Sequence, residues 1–171
     1  MTVIDAFAPI VSDSARVLIL GSMPSSASLA RQQYYGHPRN AFWPVLGVLV
    51  GAAPELDYRQ RQQILIDHGI AVWDVLQSCI RPGSLDANIA MDSVKINDFR
   101  SFFKKYRAIE RVFFNGAMAE KLFRQQVLPG LSDCFNTFQY QRLPSTSPAH
   151  ASLSLEQKIN AWKVIVQPVL K

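Results

Sequence analysis

Arg16-Val-Leu-Ile-Leu-Gly21 is the stretch that decides the fold: a short apolar run, preceded by polar residues and cut off by a glycine. It shows no alternation of apolar and polar positions, which is the pattern of a strand buried on both faces, as in a parallel sheet. Two more runs resemble it. Ile70-Ala-Val-Trp-Asp-Val75 follows His68-Gly69, and Arg111-Val-Phe-Phe-Asn115 ends at Gly116, both rich in β-branched or aromatic residues. Gln139-Tyr-Gln-Arg-Leu143 is a fourth, more polar candidate. Between these runs, apolar residues recur at spacings of three and four over residues 43–50, 59–68, 97–106, 117–127 and 155–166, which predicts helices. Alternating strands and helices predict an α/β domain: a mostly parallel four-stranded sheet, covered on both faces and joined by right-handed crossovers. No repeat, low-complexity segment or linker divides the chain, so one domain is expected over residues 1–171.

Composition narrows the class. Hydrophobic residues make up 49% and charged residues 18%, too apolar for a disordered chain and too polar for a membrane protein. Eighteen Lys and Arg stand against 13 Asp and Glu, a formal charge of +5 that favours a polyanionic partner. Cys79 and Cys134 carry neither CxxC nor Cys/His spacing, so no zinc site and no iron–sulfur cluster is expected, and metal-free, cofactor-free chemistry follows. Residues 1–8 lack the pattern of a signal peptide and no apolar stretch is long enough to span a bilayer, so a cytoplasmic protein with reduced thiols is expected.

In open sheets ligands bind outside the carboxyl ends of the strands, which directs attention to the loops after Gly21, Asp74, Asn115 and Leu143. Gly21-Ser-Met-Pro-Ser-Ser26 offers backbone N–H groups and hydroxyls to a phosphate or a base edge, although the loop taken alone reads first as a strand-to-helix turn capped by Ser25 or Ser26. Tyr34-Tyr-Gly-His-Pro-Arg-Asn-Ala-Phe-Trp43 gathers aromatics, a cation, an imidazole and an amide. Phe42 and Trp43 read as the buried start of a helix, whereas Tyr35, His37 and Asn40 read as a binding loop on which a nucleobase could stack while Arg39 takes a phosphate. Leu143-Pro-Ser-Thr-Ser-Pro-Ala-His150 is stiffened by two prolines and carries three hydroxyls, suiting a wedge against a phosphate backbone or, equally, an exposed linker.

Taken in order, Gly21-Ser-Met-Pro24, His37-Pro-Arg-Asn-Ala-Phe-Trp43, Phe114-Asn-Gly116 and Leu143-Pro-Ser-Thr-Ser-Pro148 resemble the uracil-DNA glycosylase superfamily, most of all its hypoxanthine-DNA (deoxyinosine) glycosylase branch. The resemblance runs from about Arg16 to His150. It implies a three-layer α/β/α sandwich and a monofunctional enzyme that flips a deaminated base out of damaged DNA and hydrolyses its N-glycosidic bond in base excision repair. Hypoxanthine ranks first, with uracil and xanthine as alternatives. A monomer is expected.

Resemblance also assigns roles. Asn40 would hold the attacking water through its carbonyl oxygen, as a positioning amide. Tyr35 would stack on the flipped base, with Tyr34 the alternative. Asn115 would read the O6 and N1–H edge of hypoxanthine or, equally, cap the following helix. Ser22, Met23 and His37 complete the base-binding set. Ser25, Arg39, Ser145, Thr146, Ser147, Pro148 and His150 would meet DNA, and Arg31, Arg81 and Arg142 are further phosphate candidates. Two departures stand out: Ser22 occupies a position where most of the superfamily has Asp or Asn, and Leu143 one where several relatives have His. Help for the leaving base could then come from main-chain N–H groups of Met23 or Ser25, from Asn115 or from His37. Two other readings follow: a damage-binding module without chemistry, and a small hydrolase with Ser22 as nucleophile, which lacks a Gly-x-Ser-x-Gly elbow.

Overall fold

The computed structural model describes residues 1–131 and 137–168; Cys134 lies outside them. Four strands, β2 (Val17–Gly21), β3 (Ile70–Asp74), β6 (Arg111–Asn115) and β7 (Gln139–Leu143), form a parallel sheet in the order β3-β2-β6-β7. Side chains alternate between two cores, as pleating requires. Leu18, Leu20, Ala71, Trp73, Val112 and Phe114 face one side, where α4 (Phe99–Lys105) and α5 (Ala117–Leu122) cover them. Val17, Ile19, Ile70, Val72 and Phe113 face the other, under α2 (Phe42–Val50), α3 (Tyr58–Asp67) and α6 (Leu155–Trp162). This is the sheet covered on both faces that the alternation predicts, and the three-layer α/β/α sandwich that the resemblance implies.

Elements that the periodicity missed are short. Helix α1 (Ser26–Arg31) is only six residues, capped by Ser25, whose hydroxyl accepts from the Ser28 N–H. Strands β1 (Val3–Asp5), β4 (Leu76–Ile80) and β5 (Lys95–Ile96) make a second, antiparallel sheet in the order β1-β4-β5. Two and three residues are too few to display a period. Helix α5 passes into a π-helical turn at Phe123–Val127, and α6 tightens into a 3₁₀ turn at Lys163–Val166, so both expected helices change hydrogen-bonding pattern before their ends.

Register positions the site. Val17 pairs with both Ile70 and Arg111, and Arg111 with Gln139, so the strands start level and end level, with Gly21 opposite Asp74 and Asn115 opposite Leu143. The chain leaves β2 for one neighbour, β3, and returns after α4 to β6 on the other side. The carboxyl end of β2 is thus a topological switch point, where a crevice opens between diverging loops. Gly116 turns the chain out of β6 at φ 95°, ψ 170°, a conformation essentially confined to glycine, and a Cβ there would lie 3.1 Å from the Ser145 Cβ. Gly116→Ala is expected to destabilise the fold by about 1–3 kcal/mol, read as a lower urea midpoint at unchanged slope.

Candidate active site

At the switch point lies a cavity of about 360 Å³, within the range of small-ligand sites. Every strand-end loop contributes to it. Gly21, Ser22, Met23 and Ser25 come from β2, Asp74 from β3, Asn115 from β6, and Ser145, Thr146, Ser147, Ala149 and His150 from the loop after β7; Tyr35 and Asn40 line it from the segment before α2. Asp86 and Leu85 close it from the loop after β4.

Gly21 is needed for space: a Cβ would stand 2.6 Å from Asp74 Oδ1 and 3.1 Å from the Tyr35 hydroxyl. Tyr35 adopts φ 54°, the left-handed region, and its ring stacks on Phe42 at 4.0 Å. That backbone strain is held in place by packing beside the cavity, where such outliers gather. The Tyr35 hydroxyl is buried with no hydrogen-bond partner. Burial and then the nearby Asp74 raise its pKa, so the phenol stays neutral. Tyr34, by contrast, is a core residue, with its hydroxyl donating to the carbonyls of Phe7 and Ala8.

Asn40 is half-buried on the cavity wall, and its Oδ1 accepts from the Phe42 N–H at 2.9 Å. The carbonyl is therefore the end that fixes the amide, with a second lone pair and the NH2 group remaining. The sequence reading expected that oxygen to hold the attacking water instead. The next N–H, of Ala41, donates to the Thr146 carbonyl at 2.9 Å and binds this segment to the loop after β7.

Asn115 differs more from expectation. Its Nδ2 donates to Thr146 Oγ1 and its Oδ1 accepts from the Thr146 N–H, both at 2.9 Å, so the bidentate edge of the amide already holds Thr146 and is closed to a base. Thr146 is buried to 1% exposure by this clasp rather than presented to phosphate. Ser145, Ser147 and His150 remain on the rim. Ser145 and Ser147 accept from the N–H groups two residues on, which leaves their O–H groups to donate outward.

Other expected contacts lie elsewhere. His37 and Pro148 do not line the cavity, and His37 Nδ1 accepts from the Arg39 N–H. Arg39 is exposed beyond the rim. Arg81 is buried and donates to the carbonyls of Gly83 and Pro24, so it braces two loops instead of meeting a phosphate. Arg31 donates to the Gly36 carbonyl, and Arg142 lies 3.7 Å from Glu120.

Two carboxyls in the cavity escaped sequence reasoning. Asp74 is 3% exposed, and its Oδ2 has no partner. Burial, then Asp86, push its pKa up to about 7 against the opposing Arg81. Asp86 accepts from the Ser22 hydroxyl at 2.7 Å; burial raises its pKa too, opposed by that hydrogen bond and by Arg81. Asp74 closes an apolar run, a place where an acid is out of character and could have been noticed. Asp86 is 64 residues from Ser22 and gives no such signal.

A carboxyl with a raised folded pKa keeps its proton where the unfolded chain has lost it. Its contribution to stability is complete below pH 3.8 and is lost as pH rises to about 7, remaining absent above. Asp74→Asn is therefore expected to be more stable than wild type above pH 7, with the difference shrinking towards pH 4, as measured by urea unfolding across that range.

Comparison with known proteins fits this architecture. The profile of the uracil DNA glycosylase superfamily matches residues 8–170. The chain belongs to that superfamily. A hypoxanthine DNA glycosylase of Methanosarcina acetivorans is 30% identical over 160 residues, covering 93% of this chain and 95% of that protein. One from Methanosarcina barkeri is 35% identical over 111 residues, 64% of this chain and 69% of that one. A solution NMR structure of a candidate uracil DNA glycosylase from M. acetivorans superposes with a TM-score of 0.76 at 27% identity, covering 97% of this chain and all of the other. Within this glycosylase superfamily, the cavity at the end of β2 is the part of the chain on which all four motifs converge. Among the described residues no helix is long and apolar enough to cross a membrane, and no group of three or more His, Cys, Asp or Glu is placed to hold a metal ion.

Proposed function

We propose that this chain is a monofunctional DNA glycosylase that extrudes a deaminated base, hypoxanthine foremost, from duplex DNA and hydrolyses its N-glycosidic bond, acting in the cytoplasm as a monomer of one domain. The observation that carries the reading is the cavity at the switch point, with a neutral aromatic hydroxyl and a positioning amide on its walls and a hydroxyl-rich rim around it. Superfamily membership and relatives named for hypoxanthine support the same substrate class.

Chemistry follows from the parts. Breaking the bond builds positive charge on the sugar and negative charge on the base, so the site must stabilise both and place water at C1′. Asn40, held by Phe42, would orient that water through its remaining lone pair or its NH2. Tyr35 and Met23 would form the walls against the base, and Ser145, Ser147 and His150 would meet flanking phosphates. Unstacking costs a few kcal/mol and least at a damaged pair, so part of the selection precedes entry into the cavity.

The decisive experiment is a panel of duplexes carrying hypoxanthine, uracil or xanthine, scored for released base and for alkali-labile abasic sites. Release is expected from the hypoxanthine duplex first. Tight binding to that duplex with no release from any would replace the enzyme by a damage-binding module.

A further inference from the structure

Excision as proposed needs a proton donor for the departing base, and neither side chain that the sequence offered supplies one: Asn115 is engaged by Thr146, and His37 does not line the cavity. We propose that Asp74 is the general acid of the reaction, its buried carboxyl handing a proton to the base as the glycosidic bond breaks. The inference rests on the glycosylase reading above and adds a catalytic residue to it.

Geometry carries the assignment. The carboxyl ends β3 beside Gly21, whose missing side chain leaves Oδ1 room at the cavity floor. Oδ2 is buried without a hydrogen-bond partner, and so is the neighbouring Tyr35 hydroxyl. Both residues line the cavity, and a desolvated carboxyl on its wall favours a ligand that brings its own polar groups. A flat heteroaromatic base edge, with its own donors and acceptors, is a ligand of that kind.

The surroundings keep the proton on Asp74. The tyrosines that feel its charge, Tyr34, Tyr35 and Tyr58, are all held neutral above all by burial. The charged neighbours come from the segment after β4. Arg81 directs its guanidinium at the carbonyls of Pro24 and Gly83, and Asp86 competes with Asp74 for ionisation. Asp86 has the Ser22 hydroxyl as donor and Asp74 has none, so of two carboxyls in one cavity Asp86 carries the charge and Asp74 the proton. A value of about 7 suits an acid working at neutral pH.

The step balances. The bond from C1′ to the base nitrogen breaks with its electron pair passing to the base, and the Asp74 O–H proton moves to a heteroatom on the base edge, so the base departs neutral. Water adds to C1′, and the proton it sheds replaces the one Asp74 gave up. One water is consumed, and free base and an abasic sugar are formed.

Asp74→Asn tests the assignment in single-turnover release of hypoxanthine from duplex DNA, followed from about pH 5 to 9. The variant keeps shape and polarity but has no acidic proton, and its rate is expected to fall on the order of 10²–10⁴-fold. Wild-type rates should decline as pH climbs past about 7, and that limb should vanish in the variant. Binding of an inosine duplex and thermal unfolding serve as checks on folding: binding should be preserved, and the variant should be at least as stable as wild type. An undiminished rate, or a descending limb that survives in Asp74→Asn, overturns the role of Asp74 while excision stands. No base release by wild type from any deaminated duplex overturns both.

Discussion

Asn40→Ala is expected to lower single-turnover release of hypoxanthine by on the order of a hundredfold, the typical effect of deleting one positioned polar group from a preorganised site. The amide is fixed by the Phe42 N–H, so wild type delivers a water at C1′ without reorganising. Alanine removes that geometry and also the acceptor that caps the approach to α2, a loss of about 1 kcal/mol in stability. The two effects separate cleanly. Asn40→Asp restores an oxygen for Phe42 and should recover the urea midpoint, while its rate reports whether the NH2 group is needed. An unchanged rate in Asn40→Ala would remove this residue from the reaction.

Trp162→Ala is expected to destabilise the protein by about 3–5 kcal/mol, a large share of the roughly 5–15 kcal/mol that holds a domain together. Trp162 is fully buried in α6, edge-on to Phe42 at 6.0 Å, and its indole N–H donates to the Pro144 carbonyl at 2.9 Å. The substitution thus opens a cavity beneath α2 and frees the start of the loop after β7. Trp162→Phe isolates the second term: most of the ring volume returns, but the Pro144 carbonyl loses its donor, a penalty of about 1–3 kcal/mol. Denaturant unfolding distinguishes the three proteins, and midpoints that coincide for all of them would refute the packing account.

What could be read from residues alone follows the physics of burial. Val17, Leu18, Ile19 and Leu20 are all buried because the sheet is covered on both faces, so an unbroken apolar run was a sufficient signal. The same holds for β3 and β6. β7 is an edge strand with Gln139, Gln141 and Arg142 exposed, and its polar run was correspondingly fainter. β4 joined no expectation, because Leu76-Gln77-Ser78-Cys79-Ile80 is mixed in polarity and its partners are two and three residues long. In the site, Tyr35 and Asn40 were visible as polar and aromatic residues too dense for a core. Asn115 was visible too, but not its engagement by Thr146, since a hydrogen-bond partner 31 residues away leaves no local trace. Asp74 and Asp86 matter through what surrounds them, and only the fold supplies that.

Thr146 sits where two chemistry-bearing segments meet, accepting from the Ala41 N–H while both its own N–H and its hydroxyl engage Asn115. Exchanging motifs between relatives one at a time is for that reason a poor design strategy in this scaffold. A transplanted 144–150 loop arrives without the mates its threonine grips, and a swapped 37–43 segment loses its anchor, so the three must travel together as one heritable module.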